Sequence, residues 1–153
     1  MIYWLRNSEA RGATATLPVT QLPELHPSPE PVPTVLIVED AASVRKALVR
    51  ILQFEGYRVL TACDGYEALE VLDRAFIHVI LIDLMLPDMD WETLTSEVAN
   101  RWPTGAMVFM TGSTEPDGTS QLPGPLLLKP FDLPEVAKVV RHALRPWLGQ
   151  PGQ

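Results

Sequence analysis

The chain has little of what marks secreted, membrane-spanning or nucleic-acid-binding proteins. Its 153 residues include one cysteine, Cys63, which excludes an internal disulfide and is typical of a reducing cytosol. We expect Cys63 to pack as a small apolar side chain. No apolar run approaches the roughly 18 residues that cross a bilayer, and no apolar signal-peptide segment is recognisable. A net charge of -7 argues against a nucleic-acid surface. We therefore expect a cytoplasmic protein with neither membrane insertion nor a nucleic-acid partner.

Composition divides the chain into three parts. Residues 1–33 are predicted to form an extended linker, because proline supplies no backbone donor to a helix or a sheet. Residues 34–148 alternate apolar and polar segments and are predicted to form one globular domain. Residues 149–153 form a short tail. The prolines that define the first part are Pro18, Pro23, Pro27, Pro29, Pro31 and Pro33.

The central part alternates short apolar runs with amphipathic segments. Four runs are continuously apolar, as expected for parallel strands that are buried on both faces. Between them, apolar residues recur at helical spacing, and Asp64 and Gly56 are predicted to begin and end helices. The predicted strands are 35–38, 57–61, 77–82, 106–110 and 125–128, and the helices follow Asp40, Asp64, Pro87 and Phe131. This order predicts a doubly wound α/β sandwich.

One unit of this pattern is abnormal. The segment between Thr111 and Lys129 is dense in turn residues and has almost no apolar periodicity. Such residues do not sustain a helix, so the fourth helix is predicted to be missing or reduced to about one turn.

Polar residues directly follow four of the predicted strands. Glu39 and Asp40 follow the first, Asp83 the third, Thr111 the fourth and Lys129 the fifth. Because the carboxyl ends of parallel strands share one edge, these side chains should converge on one crevice. Three carboxylates, a hydroxyl and an ammonium suit a divalent metal and a phosphoryl group.

These segments resemble the receiver domain of two-component response regulators. VLIVED, LIDLMLPDMD, FMTGS and LLLKPF are similar to its acidic pair, phosphoacceptor, hydroxyl and lysine segments, in the same order, over roughly residues 34–148. The resemblance implies a flavodoxin-like (βα)5 fold with a five-stranded parallel sheet in the order 2-1-3-4-5. It also implies a phosphoacceptor role for Asp83 and a cis peptide before Pro130.

The same resemblance implies the remaining site roles. Asp40 and Asp83 would bind Mg²⁺ directly, Glu39 directly or through water, and Met85 through its backbone carbonyl. Thr111 would donate its hydroxyl to the phosphoryl group, and Lys129 would pair with a phosphoryl oxygen. Taken singly, each polar residue could instead be a helix cap or a solvated turn residue. Carboxylate repulsion in the metal-free site should raise at least one pKa.

The sequence departs from the family at Leu126, where receivers usually carry a tyrosine or phenylalanine three residues before the lysine. The N-terminus has a second resemblance, because residues 8–18 are similar to the last strand of a histidine-kinase ATP-binding domain. A disordered leader is the alternative for that segment. The chain could therefore be the C-terminal receiver of a hybrid histidine kinase.

Three functions are compatible with these residues. The first is a receiver that accepts a phosphoryl group from a histidine kinase or a histidine phosphotransfer protein. The second is a receiver-like binding module that signals without phosphorylation. The third, a magnesium-dependent phosphohydrolase, is disfavoured because its nucleophile follows the first strand, whereas Asp83 follows the third. No turnover of an external substrate is expected, although a receiver catalyses its own phosphorylation and dephosphorylation. The oligomeric state stays open, a homodimer included.

Overall fold

A five-stranded parallel sheet forms the centre of the computed structural model, which describes residues 31–113 and 121–149. The strands are β1 (Thr34–Val38), β2 (Arg58–Ala62), β3 (Val79–Asp83), β4 (Ala106–Thr111) and β5 (Leu126–Leu128). The helices are α1 (Ala42–Phe54), α2 (Gly65–Arg74), α3 (Trp91–Arg101) and α4 (Leu133–Ala143). The strand order β2-β1-β3-β4-β5 confirms the predicted doubly wound topology.

Helices cover both faces of this sheet, and each strand contributes side chains to both layers. In β1, Val35 and Ile37 pack toward α1 and α4, whereas Leu36 and Val38 pack toward α2 and α3. This alternation explains why β1 and β3 are apolar at successive positions and buried throughout. The buried strands hold the residues at their carboxyl ends on a rigid base.

Short polar motifs set where the helices begin and end. The Asp64 carboxylate accepts the Glu67 N–H at 2.8 Å and caps α2, as predicted. Asp132 caps α4 in the same way, by accepting the Glu135 N–H at 2.9 Å. Gly56, at φ 91°, follows α1 in the left-handed region that glycine tolerates best.

The part of the chain that the structure describes contains four helices, and none lies between β4 and β5. This is consistent with the predicted loss or shortening of the helix there, although residues 114–120 fall outside the described part. A glycine is required at the entry to β5, since a Cβ on Gly124 would lie 2.1 Å from the Met107 carbonyl oxygen. Gly124 thus allows the backbone to pass close to β4.

One expectation is wrong. Cys63 is exposed rather than packed, because it lies one residue beyond β2 in the turn that leads to the α2 cap. Its Sγ lies 3.8 Å from an Asp64 carboxylate oxygen. The predicted linker of residues 1–33 falls outside the described residues except for its last three. In the described residues, no helix is long and apolar enough to cross a bilayer.

Candidate functional site

The register of the sheet brings the predicted site residues to one edge. Val38 pairs with Ile82 across β1 and β3, so Glu39 and Asp83 are the next residues on adjacent strands. Asp83 pairs with Met110, and Thr111 pairs with Leu128, which places Thr111 one position beyond Asp83 and Lys129 one position beyond Thr111. Residues distant in sequence therefore meet because four parallel strands end together.

A buried ion cluster forms the centre of this edge. Lys129 Nζ donates to Glu39 Oε2 at 2.6 Å and to Asp83 Oδ2 at 2.8 Å. The Glu39 residue is fully buried and Asp83 is 4% exposed, whereas the Lys129 side chain keeps 21% of its surface. Both carboxylates thus depend on one ammonium for neutralisation, and desolvation makes that dependence strong.

The other oxygen of each carboxylate is held by the backbone. Ala41 N–H donates to Glu39 Oε1 at 3.1 Å, and Met85 N–H donates to Asp83 Oδ1 at 3.0 Å. These bonds fix the direction of both side chains. Both oxygens of Glu39 and both oxygens of Asp83 therefore accept a hydrogen bond.

Burial and hydrogen bonding oppose one another at both Glu39 and Lys129, and the pKa of each group is raised overall. Burial raises the pKa of Glu39, and the nearby Asp83 charge raises it further, while the Lys129 hydrogen bond opposes both effects. Burial tends to lower the pKa of Lys129, but its hydrogen bonds to Asp83 and Glu39 leave that pKa raised overall. A raised carboxylate pKa was expected from repulsion; the direction is confirmed, and burial is the larger cause.

A metal ion fits the acidic side of the cluster. One carboxylate oxygen from each of Glu39, Asp40 and Asp83 lies within 4.8 Å of the others. Asp40 is exposed, and its carboxylate makes no hydrogen bond within the described residues. Hard oxygen donors of this kind, open to solvent on one side, suit Mg²⁺, which keeps several of its waters. Met85 is 74% exposed beside them.

Thr111 ends β4 next to the cluster. It is 1% exposed, and its Oγ1 accepts the Ser113 N–H at 3.1 Å. Lys129 N–H donates to the Thr111 carbonyl at 2.7 Å, which ties the end of β4 to the residue that carries the ammonium. The Lys129–Pro130 peptide is cis, as expected.

The position three residues before Lys129 holds an aliphatic side chain. Leu126 is partly buried and packs on the core cluster that includes Phe109. A leucine offers no ring that could rotate between an exposed and a buried position. Any change that reaches the surface from Thr111 must therefore follow another route.

Sequence reasoning missed Arg45. Its Nη1 donates to the Glu39 carbonyl at 2.6 Å and to the Asp40 carbonyl at 3.1 Å. An arginine on an amphipathic helix is usually read as part of its solvated face. Spacing gave no signal that this one reaches back over the N-terminus of α1 to the loop that carries the acidic pair.

Comparison with known proteins agrees with this geometry. The family model described as response regulator receiver domain matches residues 35–141. The chain belongs to this family. Receiver domains are signalling modules of two-component systems rather than enzymes that turn over a separate substrate.

Similar proteins carry the domain in different settings. The chain is 36% identical over 117 residues to the sensor kinase CckA of Brucella abortus. The alignment covers 72% of this chain and 12% of that protein. It is 31% identical to the positive alginate biosynthesis regulatory protein of Pseudomonas aeruginosa, over 73% of this chain and 47% of that protein. The chain thus spans less than half the length of either relative.

Solved receiver domains match the fold over nearly their whole length. The receiver domain of the hybrid histidine kinase CckA is 30% identical, with a TM-score of 0.64, over 73% of this chain and 99% of that one. A CheY-like receiver domain protein from Methanospirillum hungatei is 25% identical, with a TM-score of 0.70, over 75% and 95%.

Proposed function

We propose that Asp83 accepts a phosphoryl group from a phosphohistidine in a Mg²⁺-dependent reaction, and that this switches contacts with other proteins. The observation that carries the proposal is the Lys129 ammonium, which bridges Asp83 and Glu39 beside the open Asp40 carboxylate. Phosphoryl transfer depends mainly on positioning and on neutralising charge; the cluster would supply the positioning and, with Mg²⁺ bound, the neutralising charge.

The residues divide the work according to their surroundings. Asp83 is the nucleophile: one of its carboxylate oxygens forms a bond to phosphorus while the N–P bond of the donor breaks, and the imidazole leaves with that electron pair. Lys129 keeps one contact with the site and pairs with a phosphoryl oxygen. Thr111 turns its hydroxyl from the Ser113 N–H toward the new acceptor.

Mg²⁺, when bound, adds positive charge where the phosphoryl oxygens come to lie. Three carboxylates face one ammonium in the metal-free cluster, which leaves two negative charges that would repel a donor. Asp40 and Asp83 would hold the ion directly, and Glu39 directly or through water. The Met85 carbonyl completes the proposed ligands.

The partner and the setting follow from the family rather than from any contact in this structure. We propose a histidine kinase or a histidine phosphotransfer protein as the donor, in the cytoplasm. The N-terminal residues 1–33 would be a linker, and residues 8–18 the end of a kinase ATP-binding domain. The similarity to CckA supports this setting.

A small P–N donor tests the reaction without a known partner. Incubation with phosphoramidate and Mg²⁺ should add one phosphoryl mass to the intact protein, and EDTA should prevent the gain. Asp83→Asn should gain nothing. Asp73→Asn removes an exposed carboxylate that pairs with Arg101 on α3, away from the site, and should behave as wild type.

A second function, a receiver-like binding module that is never phosphorylated, is favoured by one observation. Leu126 replaces the usual aromatic ring, so the surface that commonly reads the phosphorylated state is altered. No phosphoryl gain in the wild-type protein, with Mg²⁺ still bound, would support this module and count against the main proposal.

A further inference from the structure

The loop between β1 and α1 carries two of the proposed metal ligands but has few restraints of its own. Glu39 N–H donates to the Ala62 carbonyl at 3.1 Å, which extends the pairing with β2 by one residue. Beyond Glu39, no side chain caps α1, since its N-cap is Ala41 and its first turn contains no acidic residue. The Ala41 N–H donates to Glu39 Oε1, and the carbonyls of Glu39 and Asp40 need a donor of their own.

Arg45 supplies that donor from the second turn of α1. A single guanidinium nitrogen, Nη1, bridges the two consecutive carbonyls of Glu39 and Asp40. The charge of Arg45 also lowers the pKa of Glu67 in α2, after the larger effect of the hydrogen bonds to Cys63.

The direction of the Asp40 carboxylate depends on this bridge. Within the described residues, that carboxylate makes no hydrogen bond, so the Asp40 backbone sets the direction of its Cα–Cβ bond and no partner restrains the side chain beyond it. A charged donor to two adjacent carbonyls fixes both peptide planes, and hydrogen bonds to charged groups are among the stronger ones in proteins.

We propose that Arg45 is a positioning residue that orients the acidic pair for Mg²⁺ without touching the ion. This inference rests on the proposed function, because it assumes that the acidic pair binds Mg²⁺. Residues that orient metal ligands typically change metal affinity roughly 10–100-fold when they are removed. Arg45 acts on backbone carbonyls of an exposed loop, so the effect should lie near the lower end, about tenfold.

The charge of Arg45 and its hydrogen bonds predict opposite changes in Mg²⁺ affinity when Arg45 is replaced. A cation beside a metal site repels the metal, so the loss of Arg45 through charge alone would tighten Mg²⁺ binding. The loss of the bridge would loosen the Asp40 carboxylate and weaken binding. The sign of the change in affinity therefore separates the two effects.

Isothermal titration calorimetry of the full chain with Mg²⁺ measures that sign. Arg45→Met and Arg45→Gln remove the charge and the bridge, and both should raise the Kd about tenfold. Arg45→Lys should recover part of the affinity through one hydrogen bond. Arg50→Met is the matched control, because Arg50 is an exposed cation on the same helix that makes no hydrogen bond to the acidic pair. The Kd of this variant should equal the wild-type value or fall slightly.

A second readout does not need the metal. The Ala41 amide donates to Glu39 Oε1, and hydrogen exchange at this amide should be faster in Arg45→Met than in Arg50→Met. A Kd in both neutral Arg45 variants that equals or falls below the wild-type Kd overturns the inference and leaves the proposed function standing. No Mg²⁺ binding by the wild-type protein overturns both.

Discussion

Replacement of Lys129 by glutamine tests whether the Lys129 ammonium stabilises the folded protein by neutralising the buried carboxylates of Glu39 and Asp83. The substitution removes the only cation that contacts Glu39 and Asp83 within the described residues. Both carboxylates are almost fully buried, so each would keep its desolvation cost and lose its partner. The metal-free protein should then be less stable at neutral pH.

The size of the effect follows from burial and exposure. Removal of one partner from a buried ion pair typically costs about 3–5 kcal/mol. The Lys129 side chain is 21% exposed and glutamine keeps an uncharged amide donor, so we expect about 2 kcal/mol at pH 7 in EDTA. Lys46→Gln, at an exposed lysine of α1, should change stability by less than about 0.5 kcal/mol.

The dependence on pH gives this prediction a sign. The pKa of Glu39 is raised in the folded protein. Protonated Glu39 therefore contributes to the free energy of unfolding. This contribution is complete below the ordinary pKa of 4.5 and is lost as the pH rises through the folded pKa. Without Lys129 the pKa of Glu39 should rise further. The deficit of the variant should therefore grow between pH 5 and pH 7.

Urea unfolding, followed by tryptophan fluorescence, measures both effects. Added Mg²⁺ should stabilise Lys129→Gln more than it stabilises the wild type, because the ion replaces the lost positive charge. Equal unfolding free energies for Lys129→Gln and Lys46→Gln in EDTA at pH 5 and pH 7 would refute the view that Lys129 neutralises the cluster.

Three further predictions concern other positions. Thr111→Val should reduce the rate of phosphorylation by phosphoramidate about tenfold, because valine cannot donate a hydrogen bond to the phosphoryl group. Thr111→Ser keeps the hydroxyl and should retain most of the rate. Equal rates for wild type and Thr111→Val by mass spectrometry would contradict this role of Thr111. Burial lowers the pKa of His78 below its ordinary 6.5, so its contribution to stability should be complete above that pH and lost as the pH falls through the folded value. Urea midpoints of wild type and His78→Gln between pH 7.5 and pH 5 check this, and parallel curves would count against it. Gly56→Ala, at φ 91°, should cost roughly 1 kcal/mol in the same unfolding assay, and no loss would show that the turn relaxes.

The topology could be predicted because it depends on local sequence patterns. Continuous apolar strands such as 79–82 indicate burial on both faces. Asp64 caps the start of α2, and Gly56 follows the end of α1. The meeting of Glu39, Asp83 and Lys129 at one edge follows from parallel pairing, so it could be predicted before any contact was known. Their roles in phosphoryl transfer stay predictions.

Contacts that join distant turns could not be predicted in this way. The Asp88 carboxylate accepts both the Gly65 and the Tyr66 N–H at 3.0 Å, which caps α2 from the loop that follows β3. The bridge from Arg45 to the Glu39 and Asp40 carbonyls spans only six and five residues, but it too depends on how the chain turns between β1 and α1. Such contacts depend on where loops come to lie in space, and neither periodicity nor spacing encodes that. Cys63 was placed wrongly for the same reason.

The central claim is that Asp83 itself carries the phosphoryl group. The most direct test is borohydride reduction after incubation with phosphoramidate and Mg²⁺, followed by peptide mass spectrometry, because reduction converts an aspartyl phosphate to homoserine. We predict homoserine at position 83 in the sample with Mg²⁺ and aspartate there in the sample with EDTA. Unmodified Asp83 in both samples, or a phosphoryl group at another residue, would contradict the proposed function.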